Sequence, residues 1–171
     1  MSLVKKDTIC AIATASGTAG ISVIRMSGND SHKIALSRFV KKAKNLTVND
    51  IIPNMMYYGE IVDFDNKTID DVMLTFFKAP HSYTGEDSVE ISCHGSIYIQ
   101  NKILELLIQT GARLAEAGEY TMRAFINGKM DLTQAEAVAD IISSKNEAEH
   151  RVAMNQLKGG FSNQLKILRR N

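Results

Sequence analysis

Residues 116–142, EAGEYTMRAFINGKMDLTQAEAVADII, constrain the fold more than any other stretch of the chain. A turn-rich head carrying glycines, carboxylates and cations changes abruptly into a long, alanine-rich amphipathic pattern. Gly118 and Gly128 permit backbone conformations that a Cβ resists. Arg123 and Lys129 stand around the apolar run Ala124-Phe125-Ile126. A generic core helix needs no such head. The segment therefore reads as a ligand-binding or domain-junction piece leading into a second structural unit.

The residues before it follow a different rule. Apolar runs at 7–14 (DTICAIAT) and 21–25 (ISVIR) flank the small-residue turn ASGTAG and predict two closely connected strands. That turn lacks the lysine and spacing of a phosphate loop. Ser27-Gly28-Asn29-Asp30 ends the second strand, and Asn29 or Asp30 is placed to cap a helix carrying Ile34, Leu36 and Phe39. The stretch 41–53 is polar and irregular. Strands at 57–64 and 69–77 surround Asp65-Asn66-Lys67, a hairpin signal. Pro80 and Gly85 punctuate a loop at 79–86, and Glu86 and Asp87 finish its turn and cap its amides. In the strand 88–93, Val89, Ile91 and Cys93 share one face, which puts Glu90 on the other with Ser88 and Ser92. Residues 97–108 predict a helix whose buried stripe is Ile97, Ile103, Leu104, Leu107 and Ile108.

Irregular alternation of strands and helices makes residues 1–125 one α+β domain built on a mixed sheet. Residues 126–171 are then an α-helical segment. Asp131 and Gln134 have the spacing of a capping box. Ala135, Val138, Ala139 and Ile142 form a stripe that Val152, Ala153 and Leu157 continue after a polar break at 143–149. Gly159-Gly160 interrupts it before Phe161, Leu165 and Leu168. So short a helical segment cannot bury these stripes alone, so a partner surface must come from the first domain, another chain or further residues.

Composition mainly excludes. A formal net charge of +1 over 171 residues provides no global basic footprint for nucleic acid. The clusters Lys41, Lys42, Lys44 and Lys166, Arg169, Arg170 read as solvated faces. No apolar run reaches the length of a membrane span. Cys10 and Cys93 sit in strand-like apolar runs and read as small buried residues of a protein in a reducing cytoplasm. With His81 and His94 they lack the spacing of a zinc site. His32, His81, His94 and His150 lie in unrelated contexts, so no nucleophilic triad can be assembled from the sequence.

Three polar side chains stand out. Arg25 ends an apolar strand, Glu90 sits mid-strand between serines, and Lys129 follows an Asn-Gly turn. Together they suit a pocket for a polar, planar molecule, in which a carboxylate takes an amidine-like edge and the cations hold carboxylates. The competing reading is a structural ion pair of Glu90 with Arg25 or Lys129.

Three blocks, DTICAIAT…GISVIRMSG at 7–28, SYTGEDSVEISCHG at 82–95 and GEYTMRAFINGKMDLTQAEAVADII at 118–142, resemble the N-terminal part of the MnmE/TrmE family of tRNA modification GTPases, in the family's order. The resemblance covers nearly all of residues 7–171. It implies a tetrahydrofolate-binding-domain-like fold that also forms the homodimer, followed by a helical domain into which the family inserts a Ras-like GTPase domain. It implies a cytoplasmic protein that works with a flavin-dependent partner, MnmG (GidA), to add an aminomethyl-type group to C5 of the wobble uridine, U34, of certain tRNAs. The one-carbon donor would be 5-formyltetrahydrofolate or 5,10-methylenetetrahydrofolate, and the full-length family also uses GTP, Mg2+ and K+. The family's folate contacts fall on Arg25, Glu90 and Lys129, with Glu90 facing the amino-pyrimidine edge of the pterin.

Departures from the family pattern are Ala15 for a proline in the first glycine loop, Ser96 for the second glycine of HGG, and Ala117 in place of the proline of PGE. None removes a contact residue. The chain has no GxxxxGK[ST], and the family's C-terminal CxGK-type motif is also missing. The expectation is therefore a piece of a longer protein that does not hydrolyse GTP by itself. Two other functions compete: a self-sufficient folate-dependent one-carbon transferase of the glycine-cleavage class, and a ligand-free structural dimerisation module.

Overall fold

A computed structural model describes residues 7–41 and 46–159. The chain divides into two compact units that meet between Ala117 and Gly118. The boundary expected at 125 falls inside a helix of the second unit. Lys42, Lys44, Phe161, Leu165, Lys166, Leu168, Arg169 and Arg170 lie outside the described residues.

In the first unit the strands are β1 (Ile9–Ile12), β2 (Ala19–Ser27), β3 (Phe39–Val40), β4 (Met56–Val62), β5 (Thr68–Phe77), β6 (Ser88–Gly95) and β7 (Arg113–Leu114). They form one mixed sheet in the order β3-β4-β5-β6-β2-β1-β7. Neighbours are antiparallel except the parallel pair β1 and β7. This is the α+β class that the sequence pattern implies. Among the described residues two α-helices belong to this unit, α1 (Ser31–Ser37) and α2 (Ile97–Gln109), with a short 3-10 turn at Val48–Asp50.

Side chains alternate across a strand, so each strand presents one residue in two to the core. Cys10, Ile24, Met26, Val72, Leu74, Phe76, Val89, Ile91 and Cys93 do so, and Ile34, Ala35, Ile103, Leu106 and Leu107 of the helices meet them. Burial pushes the thiols of Cys10 and Cys93 up to about 11, where they behave as small apolar groups. His32 is also a core residue. It lies edge-on to Phe76, and its Nε2 hydrogen-bonds the carbonyls of Phe77 and Ser88.

Several local expectations need correction. Helix α1 stops at Ser37, and Phe39 belongs to strand β3 rather than to the helix. Asp30 occupies the N-cap position but its side chain makes no capping bond. In α2 the buried positions are Gln100, Ile103, Leu106 and Leu107, while Ile97 is 53% and Ile108 40% exposed. The cause is helical period. Ile97, Leu104 and Ile108 are spaced by seven and four residues and form the stripe beside the buried one.

The second unit contains α3 (Glu119–Ile126), α4 (Leu132–Ser143) and α5 (Glu147–Leu157). Helix α3 stands where the sequence suggested turns. Its flanks are the expected left-handed glycines, Gly118 at φ +74° and Gly128 at φ +70°. The capping box that starts α4 is complete. Asp131 Oδ1 accepts the Gln134 amide, and Gln134 Oε1 accepts the Asp131 amide, each at 2.9 Å. Gln134 Nε2 also donates to the Leu157 carbonyl at 2.7 Å, tying the start of α4 to the end of α5. Ala137 and Ala153 are the buried residues of this hairpin. The expected stripe is not buried as a whole, because Ile142 is 80% and Val152 58% exposed. No helix among the described residues is long and apolar enough to cross a membrane.

Candidate functional site

The candidate site lies on the sheet face opposite the core. Register fixes its layout. Arg25 on β2 stands directly opposite Glu90 on β6, and Thr75 on β5 opposes Glu90 from the other side. One step along the same face, Val23, Ser92, Met73 and Tyr58 form the next cross-strand row. Cross-strand partners of this kind interact directly, so the face presents a polar row beside a mostly apolar one.

Arg25 and Glu90 are brought together. Arg25 Nε and Nη2 both donate to Oε1 of Glu90, at 2.9 and 2.7 Å. Glu90 Oε2 takes no hydrogen bond among the described residues. The carboxylate is thus oriented through one oxygen while the other keeps its acceptor capacity. Both side chains remain about one-third exposed, at 31% and 30%. This is also the geometry of the structural ion pair that competed in the sequence, and pairing through one oxygen is compatible with either role.

The loop between β5 and β6 completes the surroundings. Arg25 Cζ lies 5.5 Å from the centroid of the Tyr83 ring, a cation–π contact. The loop is pinned from below. The Ser27 hydroxyl bonds Thr84 Oγ1 at 2.6 Å and Glu86 Oε2 at 2.7 Å, and Asp87 Oδ1 accepts the Ala79 amide at 2.9 Å. Asp87 therefore caps a loop amide, as its place after Thr84-Gly85 suggested. Glu86 takes a serine hydroxyl instead, because its side chain turns to the buried end of β2.

Lys129 belongs to the second unit, directly after Gly128. Its amide donates to the Ala124 carbonyl at 2.9 Å and closes the end of α3. Arg123 in that helix is 1% exposed and donates from Nη2 to Glu119 Oε1 at 2.9 Å, an i,i+4 pair. Its burial points to a structural role.

Sequence reasoning missed two features of this face. One is Tyr83, which only the loop conformation brings to Arg25. The other is a pairing of His94 with Asp70. Asp70 Oδ1 bonds His94 Nδ1 at 2.7 Å, and its Oδ2 accepts the His94 amide at 2.8 Å. Hydrogen bonding to Asp70, with its charge and that of Asp71, raises the His94 imidazole above its ordinary range, against slight desolvation. A histidine after an apolar strand was the available signal, but its partner lies 24 residues away.

Comparison with known proteins adds independent information. The family described as "GTP-binding protein TrmE N-terminus" matches residues 8–129. The "tRNA modification GTPase MnmE" of Porphyromonas gingivalis is 53% identical over 164 residues, covering 96% of this chain and 34% of that protein. Its namesake in Flavobacterium johnsoniae is 53% identical over 167 residues, covering 98% and 35% respectively. That of Parabacteroides distasonis is 54% identical over 163 residues, covering 95% and 35%. The chain thus spans about a third of the length of these relatives.

Proposed function

The chain belongs to the family of the TrmE N-terminus, and from that premise we propose that it is the folate-binding and dimerising N-terminal part of a tRNA modification GTPase. Its ligand is 5-formyltetrahydrofolate or 5,10-methylenetetrahydrofolate, held by Arg25, Glu90 and Lys129. With a flavin-dependent MnmG-type partner, the whole cytoplasmic protein adds an aminomethyl-type group to C5 of U34 in certain tRNAs. GTP, Mg2+ and K+ serve the whole protein's GTPase domain.

One observation carries the folate reading: Glu90 is oriented through Oε1 and presents Oε2 on the outer sheet face. The amino-pyrimidine edge of a pterin offers neighbouring N–H donors, and a carboxylate accepts such a pair with charge assistance. Arg25 keeps Glu90 aimed, which matters because a mobile carboxylate would lose side-chain entropy on binding. Thr75 beside Glu90 and the Val23–Ser92–Met73 row offer a flat surface for a ring. Lys129 supplies a cation for the glutamate carboxylates of the ligand.

Calorimetric titration of the chain with 5-formyltetrahydrofolate tests this reading, followed by an assay for one-carbon release. Binding without turnover supports it. Turnover favours the self-sufficient transferase, and absence of binding favours the ligand-free dimerisation module. Light scattering at micromolar concentration tests the homodimer, and a monomeric mass contradicts it.

A further inference from the structure

The His94–Asp70 pair lies on the strand that carries Glu90, four residues further along. Strand geometry separates the two Cα positions by about 13 Å. Both residues leave β6 on the outer face, with Ser92 between them. The β5–β6 ladder ends at Met73–Ser92, while β6 continues to Gly95 against β2. Beyond that point the Asp70 carboxylate bridges the two strands in place of the ladder, taking both the amide and Nδ1 of His94. The imidazole is therefore fixed in orientation although its side chain is 67% exposed. Its Nε2 has no hydrogen-bond partner among the described residues.

We propose that His94 is a second polar contact for the ligand of this face, its Nε2 accepting the amide N–H that joins the p-aminobenzoyl and glutamyl parts of a folate held at its pterin edge by Glu90. The inference rests on the folate reading above. First, a pterin alone is shorter than the distance from Glu90 to His94, whereas a pterin with its p-aminobenzoyl arm spans it. Second, the row between them, Val23, Ser92, Met73 and Tyr58, is apolar or small and suits an aromatic ring. Third, charge selects the kind of contact. Asp71 on β5 and Glu60 on β4 pair across this end of the face, the buried Asp70 reaches His94 from the core-facing side of β5, and β2 brings only the apolar Ile21 opposite His94. Carboxylates around the imidazole disfavour a further acceptor at Nε2 and favour an N–H donor there. Asp70 holds the proton on Nδ1, which leaves Nε2 as the acceptor of the neutral ring.

The test compares 5-formyltetrahydrofolate with 6-methyltetrahydropterin, which lacks the arm, by calorimetry from pH 6 to pH 8.5. Protonation removes the Nε2 acceptor, so folate affinity in the wild type falls as pH drops through the His94 titration. His94→Ala weakens folate binding about two- to tenfold at pH 8, the range of one neutral hydrogen bond, and leaves pterin binding unchanged. His94→Gln retains an acceptor, restores part of that affinity and gives a flat pH profile. Asp70→Asn moves the inflection to lower pH. Wild-type folate affinity that rises on acidification, or that is indifferent to His94→Ala, overturns the inference while leaving the Glu90 site standing. A wild-type protein that binds neither ligand at any pH overturns the folate reading itself, and this inference with it.

Discussion

Glu90→Gln separates ligand binding from structural pairing because the two roles predict opposite readouts. The substitution keeps size and one acceptor but removes the charge and places an amide donor where the ligand's N–H donors would point. Hydrogen bonds to charged groups contribute roughly 1.5–3 kcal/mol, so folate affinity should fall about ten- to over a hundredfold. The structural cost is smaller. The Arg25–Glu90 pair is about one-third exposed on both sides. Such pairs contribute about 0.2–1 kcal/mol, and glutamine retains part of the contact with Arg25. For a protein of this size that corresponds to a fall in Tm below about 4 °C. Calorimetric titration and thermal unfolding of one preparation give both numbers. An unchanged Kd in a well-folded Glu90→Gln protein refutes the site. A large loss of Tm with no effect on binding identifies Glu90 as a purely structural residue.

Other consequences follow from the packing. Asp131→Ala removes one half of the capping box at the start of α4 and should lower stability by about 1 kcal/mol, read by denaturant unfolding. Gly28→Ala should cost more than about 1 kcal/mol by the same assay, because Gly28 is at φ +133° and an added Cβ would meet Thr8 Cα at 2.7 Å. Gly118→Ala, at φ +74° in open space, should cost less. Cys10 and Cys93, with thiols raised to about 11, should resist iodoacetamide at pH 8 in the native protein and react on unfolding; rapid native labelling would contradict their burial.

The sheet was legible in the sequence where strands alternate cleanly. Val89, Ile91 and Cys93 face the core as their spacing required, and Glu90 faces outward. The Asp65-Asn66-Lys67 hairpin was legible for the same local reason, and Asn66 adopts φ 60°. Strands β3 and β7 are two residues each and carry no periodicity to detect. Helix α3 was hidden by Tyr120, Thr121, Phe125 and Ile126, which are indifferent helix formers, and by a glycine N-cap without a capping side chain. Its one local signal was the i,i+4 spacing of Glu119 and Arg123. Glu90 and Arg25 each stood out as charges in apolar strands. Their mutual pairing was one of the two that the sequence offered for Glu90, and the β2–β6 register, which joins residues 65 positions apart, is what forms it. The same non-locality concealed Tyr83 and the Asp70–His94 bridge.

The most direct test of the central claim is a crystal structure of the chain with 5-formyltetrahydrofolate. The account predicts the amino-pyrimidine edge within hydrogen-bonding distance of the Glu90 carboxylate, with Arg25 still on Oε1. Ligand density elsewhere, or full occupancy with Glu90 engaged only by Arg25, would contradict it.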